Sequence, residues 1–316
     1  MFLIRFDMRA HVFGAPPADL YDAAIEMSAW AESHGCVAVI LCEHHGSPDG
    51  YLPSPLILAS AIASRTQRIG ITVAAAILPF YDPVRLAEDM NVLDLVSRGR
   101  VSYVLALGYR PEEYEHFGLE LARRGAIADQ KLDALLRLRN GEPVGPEARR
   151  IRVTPGPFTP GGPTIMWGGG SLPAARRAGR NGLGLVAQRN LLGMKEVYEQ
   201  ELREHGHEPG LAIFPDESPT TVFVADDVNA AWEELGPFLL HDATMYGEWN
   251  PDDDSTAGIA HVDTVEDLRR AAAHCVMTPE DAREVTQGGR VLTLAPLCGG
   301  IPPVTAWPYL ERAAAL

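Results

Sequence analysis

Apolar and polar positions fall in alternating blocks along this chain, and each block has the period of one kind of element. The first run, 1–7, predicts a strand. The stretch 19–34 carries Leu20, Ala23, Ala24, Met27, Trp30 and Ala31 at helical spacing and stops at Gly35. From Cys36 to Cys42 no residue is polar, which predicts a strand covered on both faces. Pro55 opens a second helix through Leu56, Ala59, Ile62 and Ala63, and a strand over 69–77 follows. Asp82-Pro83 then reads as an N-cap with proline at the first position of a helix over 83–97. A strand at 101–107, a helix at 123–139 and strands at 164–167, 183–187, 220–225 and 291–295 continue the rhythm. The Pro/Gly-rich stretch 141–163, with the strand-like piece Ile151-Arg152-Val153, reads as an insertion because the alternation resumes after it.

Eight strands in one alternation with helices predict an α/β fold with a parallel sheet, closed as a (β/α)8 TIM barrel. A single domain over 1–316, with loop insertions at the C-terminal mouth, is expected. An open doubly wound sheet fits less well, since no Gly-x-Gly-x-x-Gly turn follows the first strand and the strands are too many. At 46% hydrophobic the chain can bury one large core. Its net charge of -15 opposes binding to nucleic acid or an anionic membrane surface and leaves a small-molecule protein as the expectation. No apolar run approaches the ~20 residues of a membrane span. The opening residues Met1 to Phe6 read as a strand, not an export signal, so a cytoplasmic location is expected. Cys36, Cys42, Cys275 and Cys298 have no Cys-x-x-Cys spacing and read as reduced thiols.

Candidate chemistry begins at Glu43-His44-His45, where a buried strand ends. Parallel α/β folds collect function at the C-terminal ends of strands, and His titrates nearest working pH. The alternative is a pair of histidines bonded to backbone. Gly168-Gly169-Gly170-Ser171, between a strand and a helix, exposes backbone N–H groups at a helix N-terminus, which favours phosphate, or else it is a tight connection. Ala74-Ala75-Ala76 leave room for a flat ring at the end of the third strand. Gly108-Tyr109-Arg110 offers flexible backbone, an aromatic face and a guanidinium, with a solvated turn as the plainer reading. Trp167, Met245, Tyr246 and Trp249 are candidate pocket walls or ordinary core, and the acidic loop 247–262 is a candidate lid. Asp252-Asp253-Asp254 reads as a solvated loop. Zincin, P-loop and Gly-x-Ser-x-Gly motifs are absent, and adjacent histidines point opposite ways along a strand, so His11, His44 and His45 are not expected to hold a metal.

Taken together, Glu43-His44-His45, Leu78-Pro79, the run Asp82 to Asp89, Leu93-Asp94, Ser97-Arg98-Gly99-Arg100, Gly108-Tyr109 with Glu113, and Phe117-Gly118 resemble the bacterial luciferase-like, flavin-dependent monooxygenases. Weaker matches are Gly169-Gly170-Ser171, Thr278-Pro279-Glu280 and the tail Pro296 to Pro303 with Trp307. The resemblance implies a (β/α)8 barrel that binds reduced FMN, or in one branch the deazaflavin F420, at its C-terminal mouth. It implies that His44 acts as base or stabiliser of the oxygenated flavin, with Glu43 nearby. It further implies a non-prolyl cis peptide at Ala74-Ala75 under the ring and a phosphate held by Gly169, Gly170 and Ser171, with Gly108, Arg110 and Gln188 completing the cofactor-binding set. Leu107 stands where luciferase carries a phosphate-binding Arg, and Arg110 is a possible replacement. The implied partners are oxygen, a small organic substrate, a separate flavin reductase and a second copy of the chain meeting through the second and third helices. Light emission is not implied. Beside this monooxygenase reading stand F420-dependent hydride transfer and a flavin-binding relative without turnover.

Overall fold

The structure, a computed structural model, describes residues 1–216, 218–253, 256, 259–271 and 273–316. Asp254 and Ser255, with two further residues of the candidate lid, lie outside the described residues. The chain folds in the order β1 (Phe2–Phe6), α1 (Pro17–Ala31), β2 (Cys36–Leu41), α2 (Pro55–Arg65), β3 (Gly70–Ile77), α3 (Pro83–Ser97) and β4 (Val101–Ala106). There follow α4 (Pro111–His116), α5 (Arg124–Arg139), β5 (Thr164–Gly169), α6 (Leu172–Arg180), β6 (Gly184–Ala187), α7 (Met194–Glu204) and β7 (Ala212–Ile213). The last third holds β8 (Thr221–Val224), α8 (Val228–Trp249), α9 (Val265–Ala271), β9 (His274–Met277), α10 (Pro279–Gln287), β10 (Leu292–Leu294) and α11 (Pro303–Ala314).

Local chemistry explains the elements. Asp82 caps α3 by accepting from the amides of Val84 and Arg85 at 2.9 and 3.0 Å, and Pro83 fills the first helical position, where its missing N–H costs nothing. Thr278 and Asp281 form a reciprocal capping box on α10. On α1, Leu20, Ala23, Ala24, Met27 and Ala31 are buried at helical spacing.

Two compact units are distinguished. One comprises Met1–Pro53, Arg68–Gly70 and Pro215–Leu316, the other Ser54–Gln67 and Ile71–Phe214. In the first unit the strands run β2-β1-β10-β8-β9, and in the second β3-β4-β5-β6-β7, every ladder parallel. Parallel neighbours end on the same edge, so each unit gathers its strand C-termini in one row.

Among the described residues, ten strands stand where eight are expected. Of the two additions, β7 has two residues, too few to show a period, and β9, with four, opens on a histidine. Ile151-Arg152-Val153 is not a strand: Ile151 makes one antiparallel bridge to Val144. The insertion is instead pinned by Asp94 of α3, whose carboxylate accepts the Thr159 amide at 2.7 Å and hydroxyl at 2.9 Å. In the same unit Ile57 of α2 and Val92, Leu95 and Val96 of α3 are exposed.

The tail motif has a steric cause in the first unit. Gly299 lies at φ 63°, and a Cβ there would drive into the Phe238 carbonyl of α8; a Cβ on Gly300 would come within 3.0 Å of the His11 amide. Gly299→Ala therefore combines a left-handed backbone with a clash against main chain, and thermal unfolding is expected to show a loss of about 3 kcal/mol. An unchanged melting temperature would refute this account of the motif.

Candidate functional site

In the first unit the C-terminal ends of β1 and β2 carry the chemistry. Beyond β1, the amide of Arg9 donates to Asp7 Oδ1 at 3.1 Å, around Met8 in the left-handed region at φ 62°. Backbone hydrogen bonds stitch this turn to the segment after β2: Leu52 N donates to Asp7 O at 2.7 Å, Ala10 N to Asp49 O at 2.7 Å, and His44 N to Leu52 O at 3.1 Å. The third contributor is α8, where His241, Asp242, Met245, Tyr246 and Trp249 recur at the three- to five-residue spacing that shares one helix face.

His44 is 7% exposed, and its ring packs against Tyr51 at 4.9 Å and Trp249 at 4.8 Å. His45 pairs through Nε2 with Glu43 Oε1 at 3.0 Å. Tyr51 and Tyr246 share a 2.6 Å hydroxyl hydrogen bond. Their rings and that of Trp249 surround the Arg9 guanidinium at 4.7, 4.8 and 4.4 Å.

Arg9 is 0% exposed, with Nη1 2.5 Å from Asp49 Oδ2 and Nε 3.0 Å from Asp242 Oδ1. Each carboxylate takes a histidine as well: His241 Nε2 lies 2.9 Å from Asp49 and His274 Nε2 2.9 Å from Asp242. Burial alone raises both carboxyls; the histidine contacts and Arg9, aided at Asp242 by Arg5, overcome it and hold them well below the carboxylate range. Asp7 goes the other way. Burial and the Asp242 charge, only partly offset by Arg9 and Arg5, raise it from 3.8 to about 6.

Asp242, His274 and Cys298 also bring ligand-type atoms within 4.8 Å of one another. Arg9 and Arg5 pair with that carboxylate, and burial holds the thiol well above its ordinary value. The sequence reading passed over Arg9, Asp49 and Tyr51; the available signal was the charged alternation Arg5-Phe6-Asp7-Met8-Arg9 at the end of a buried strand.

In the second unit, four neighbouring strands end side by side, β3 to β6. The Ala74-Ala75 peptide is cis, and the pairing with β4 skips Ala75, passing from Ala74↔Val104 to Ala76↔Leu105. Gly108, at the end of β4, lies against Ile77, which a Cβ would meet at 2.8 Å. Arg110 stands buried at the N-cap position of α4 without a capping hydrogen bond from its side chain, its Nη1 3.3 Å from Glu113 Oε1. At the end of β5, Cβ atoms on Gly168 and Gly169 would meet Val104 and Ala174 at 2.9 and 2.8 Å, and one on Gly170 would meet the Arg189 side chain at 2.8 Å. Ser171 is exposed and caps α6, accepting from Ala174 N at 3.4 Å. Gln188 is exposed, with its amide donating to Gly169 O at 3.4 Å. Glycine backbone, a helix N-terminus, a hydroxyl and the Arg189 side chain over Gly170 fit a phosphate group. Arg189 was missed by the sequence reading, though it directly follows Gln188. Trp167, a candidate wall, is core at 0% exposure, with the Arg177 guanidinium 5.0 Å from its ring.

A family model described as luciferase-like monooxygenase matches residues 3–290. The chain belongs to that family. It is 25% identical over 197 residues to the alkanal monooxygenase alpha chain of Photorhabdus luminescens, covering 58% of this chain and 54% of that one. The chain spans from about a third to about half the length of the first curated relatives it matches. Monooxygenase RslO1 from Streptomyces bottropensis matches 100% of this chain and 98% of its own at a TM-score of 0.77 and 19% identity. The oxygenating constituent of 3,6-diketocamphane monooxygenase from Pseudomonas putida, solved with FMN, matches 99% and 96% at 0.69 and 21%. These likenesses show the fold, the parallel α/β barrel class expected from the strand alternation.

Asp7 gives the site a pH signature. Its folded value of about 6 lies above the ordinary 3.8, so the ionised carboxylate costs stability above pH 6, and the cost fades as pH falls from 6 toward 4. Asp7→Asn is expected to stabilise by about 2 kcal/mol at pH 8 and by less at pH 5, read from melts at both values. An equal gain at the two pH values would remove the titration from the explanation.

Proposed function

We propose that this chain is the oxygenase of a flavin-dependent monooxygenase system, a single functional domain over 1–316 that works in the cytoplasm as a homodimer. It takes reduced FMN from a separate reductase and uses molecular oxygen to oxidise a small organic substrate. The observation that carries the reading is His44, an imidazole buried between two aromatic rings at the end of β2 in a member of this family. When bound, reduced flavin supplies the electrons and activates oxygen. The chain supplies the rest.

His44 accepts and returns a proton through a ring nitrogen, while Tyr51 and Trp249 keep water from that nitrogen. Glu43, whose carboxylate pairs with His45, stands next to His44 in the chain. Gly169, Gly170 and Ser171 hold the phosphate with Arg189, Gln188 lies beside them, and Ala74, Ala75 and Gly108 offer small surfaces to the ring. Arg110, already matched to Glu113, is a second-choice anion partner. The exposed apolar residues of α2 and α3 support the second-copy contact.

Among the described residues no helix is long and apolar enough to cross a membrane. The rival reading is hydride transfer with F420, in which His44 serves as acid or base beside the substrate and oxygen plays no part.

Anaerobic titration with reduced FMN and with reduced F420, followed by aerated buffer, separates the two. FMN is expected to bind and to yield a transient absorbance distinct from both its reduced and oxidised forms; preference for F420 without that transient would overturn the oxygenase reading. Arg189→Ala should weaken FMN binding about 10-fold or more, because one charge-assisted phosphate contact is lost. In the same assay His44→Ala should retain FMN affinity but lose product formation by at least about 100-fold. Unchanged turnover would release His44 from its role.

A further inference from the structure

We propose that Arg9 is a positioning residue for His44, acting through the two aromatic rings that the residues share. The inference rests on the reading of His44 given above, but its geometry stands within the first unit alone. Trp249 and Tyr51 lie 4.4 and 4.7 Å from the Arg9 guanidinium, and the same two rings are the ones packed on His44, at 4.8 and 4.9 Å. Each ring thus contacts both a flat cation and an imidazole, which leaves it few places to go.

The cation itself is fixed. Asp49 and Asp242 grip Nη1 and Nε, and His241 and His274 brace those carboxylates in turn. Backbone hydrogen bonds set the reach. Asp49 O accepts from Ala10, next to Arg9 in sequence, and the Leu52 that donates to Asp7 O also accepts from His44 N. Arg9 and His44 therefore hang from one stitched backbone frame.

Charge complementarity separates positioning from simple electrostatics. Arg9 faces two ionised carboxylates, so little net positive field remains to act on His44. What the guanidinium uniquely provides is a planar, stackable face, which lysine lacks although it keeps the charge. Orientation matters at this scale, because misplacing a reacting group by about 1 Å can cost on the order of 100-fold in rate.

The test uses the full chain with selectively labelled histidine, following the ring resonances of His44, assigned by their absence in His44→Ala. Arg9→Lys is expected to shift those resonances, as ring-current shielding from Tyr51 and Trp249 is lost, and to move the His44 titration midpoint. In the FMN-loaded protein it should lower kcat about 10- to 100-fold with the flavin Kd within about twofold. Trp249→Leu, which leaves the ion pairs intact, should move the His44 midpoint likewise, and Trp249→Phe should restore it toward wild type. Should Arg9→Lys fail to fold, the Trp249 pair decides. Unchanged His44 resonances and midpoint in Arg9→Lys, or in Trp249→Leu where it must stand in, would overturn the proposal. If His44→Ala turns over normally, the catalytic reading falls while the resonance arm still reports on positioning.

Discussion

A guanidinium sealed from water must have its charge matched inside the protein, and the arrangement of the first unit follows from that requirement at Arg9. Desolvating an ion costs several kcal/mol, and removing one partner of a buried pair costs about 3–5 kcal/mol because the other charge is stranded. Asp49 and Asp242 meet the need, and their positions fix where the segment after β2 and the face of α8 must lie. With Arg5 the cluster holds two cations against three carboxylates, counting Asp7. The third carboxylate is therefore the one whose ionisation is resisted, which is why Asp7 alone is raised while the other two are depressed. The aromatic rings around the cation then become the walls of His44.

The second unit meets a different demand with different means. There the strand ends are stripped of side chains: Gly168 and Gly169 sit so close to Val104 and Ala174 that a Cβ would clash, Gly170 lies under the Arg189 side chain, and Ala74 and Ala75 are the smallest chiral residues. Bare N–H groups at the start of α6 can then approach an anion directly. In a chain of net charge -15, an incoming phosphate is repelled at long range. For the proposed phosphate a local cation would offset that, and Arg189 lies over Gly170 in this row.

What the sequence made legible divides along the same physical line. Strands rich in Val, Ile and Leu declared themselves, and α3 was readable to its ends because Asp82, Pro83 and Gly99 are local signals. His44 was visible because it interrupts an apolar run, and the glycine row because glycines repeated there have few other uses. The partners of Arg9 were not visible, since a charge on a strand end looks solvated until residues far along the chain close over it. Trp167 illustrates the converse. A tryptophan at the end of a strand suited a pocket wall equally well, and only packing under Arg177 decides for the core.

The raised Asp7 also bears on how any pH dependence is to be read. Histidine titrates near 6.5 when unperturbed, and Asp7 at about 6 falls in the same window within the same buried cluster. An inflection in turnover near pH 6 thus has two possible owners, and coupled groups report as a pair unless one is removed. Asn in place of Asp7 can keep the oxygen that accepts the Arg9 amide while abolishing the titration. An inflection that persists in that variant then belongs to the imidazole, and one that vanishes shows Asp7 charging to be felt through Arg9 at the site itself. The buried ion cluster and the chemistry of His44 would in that case be one system.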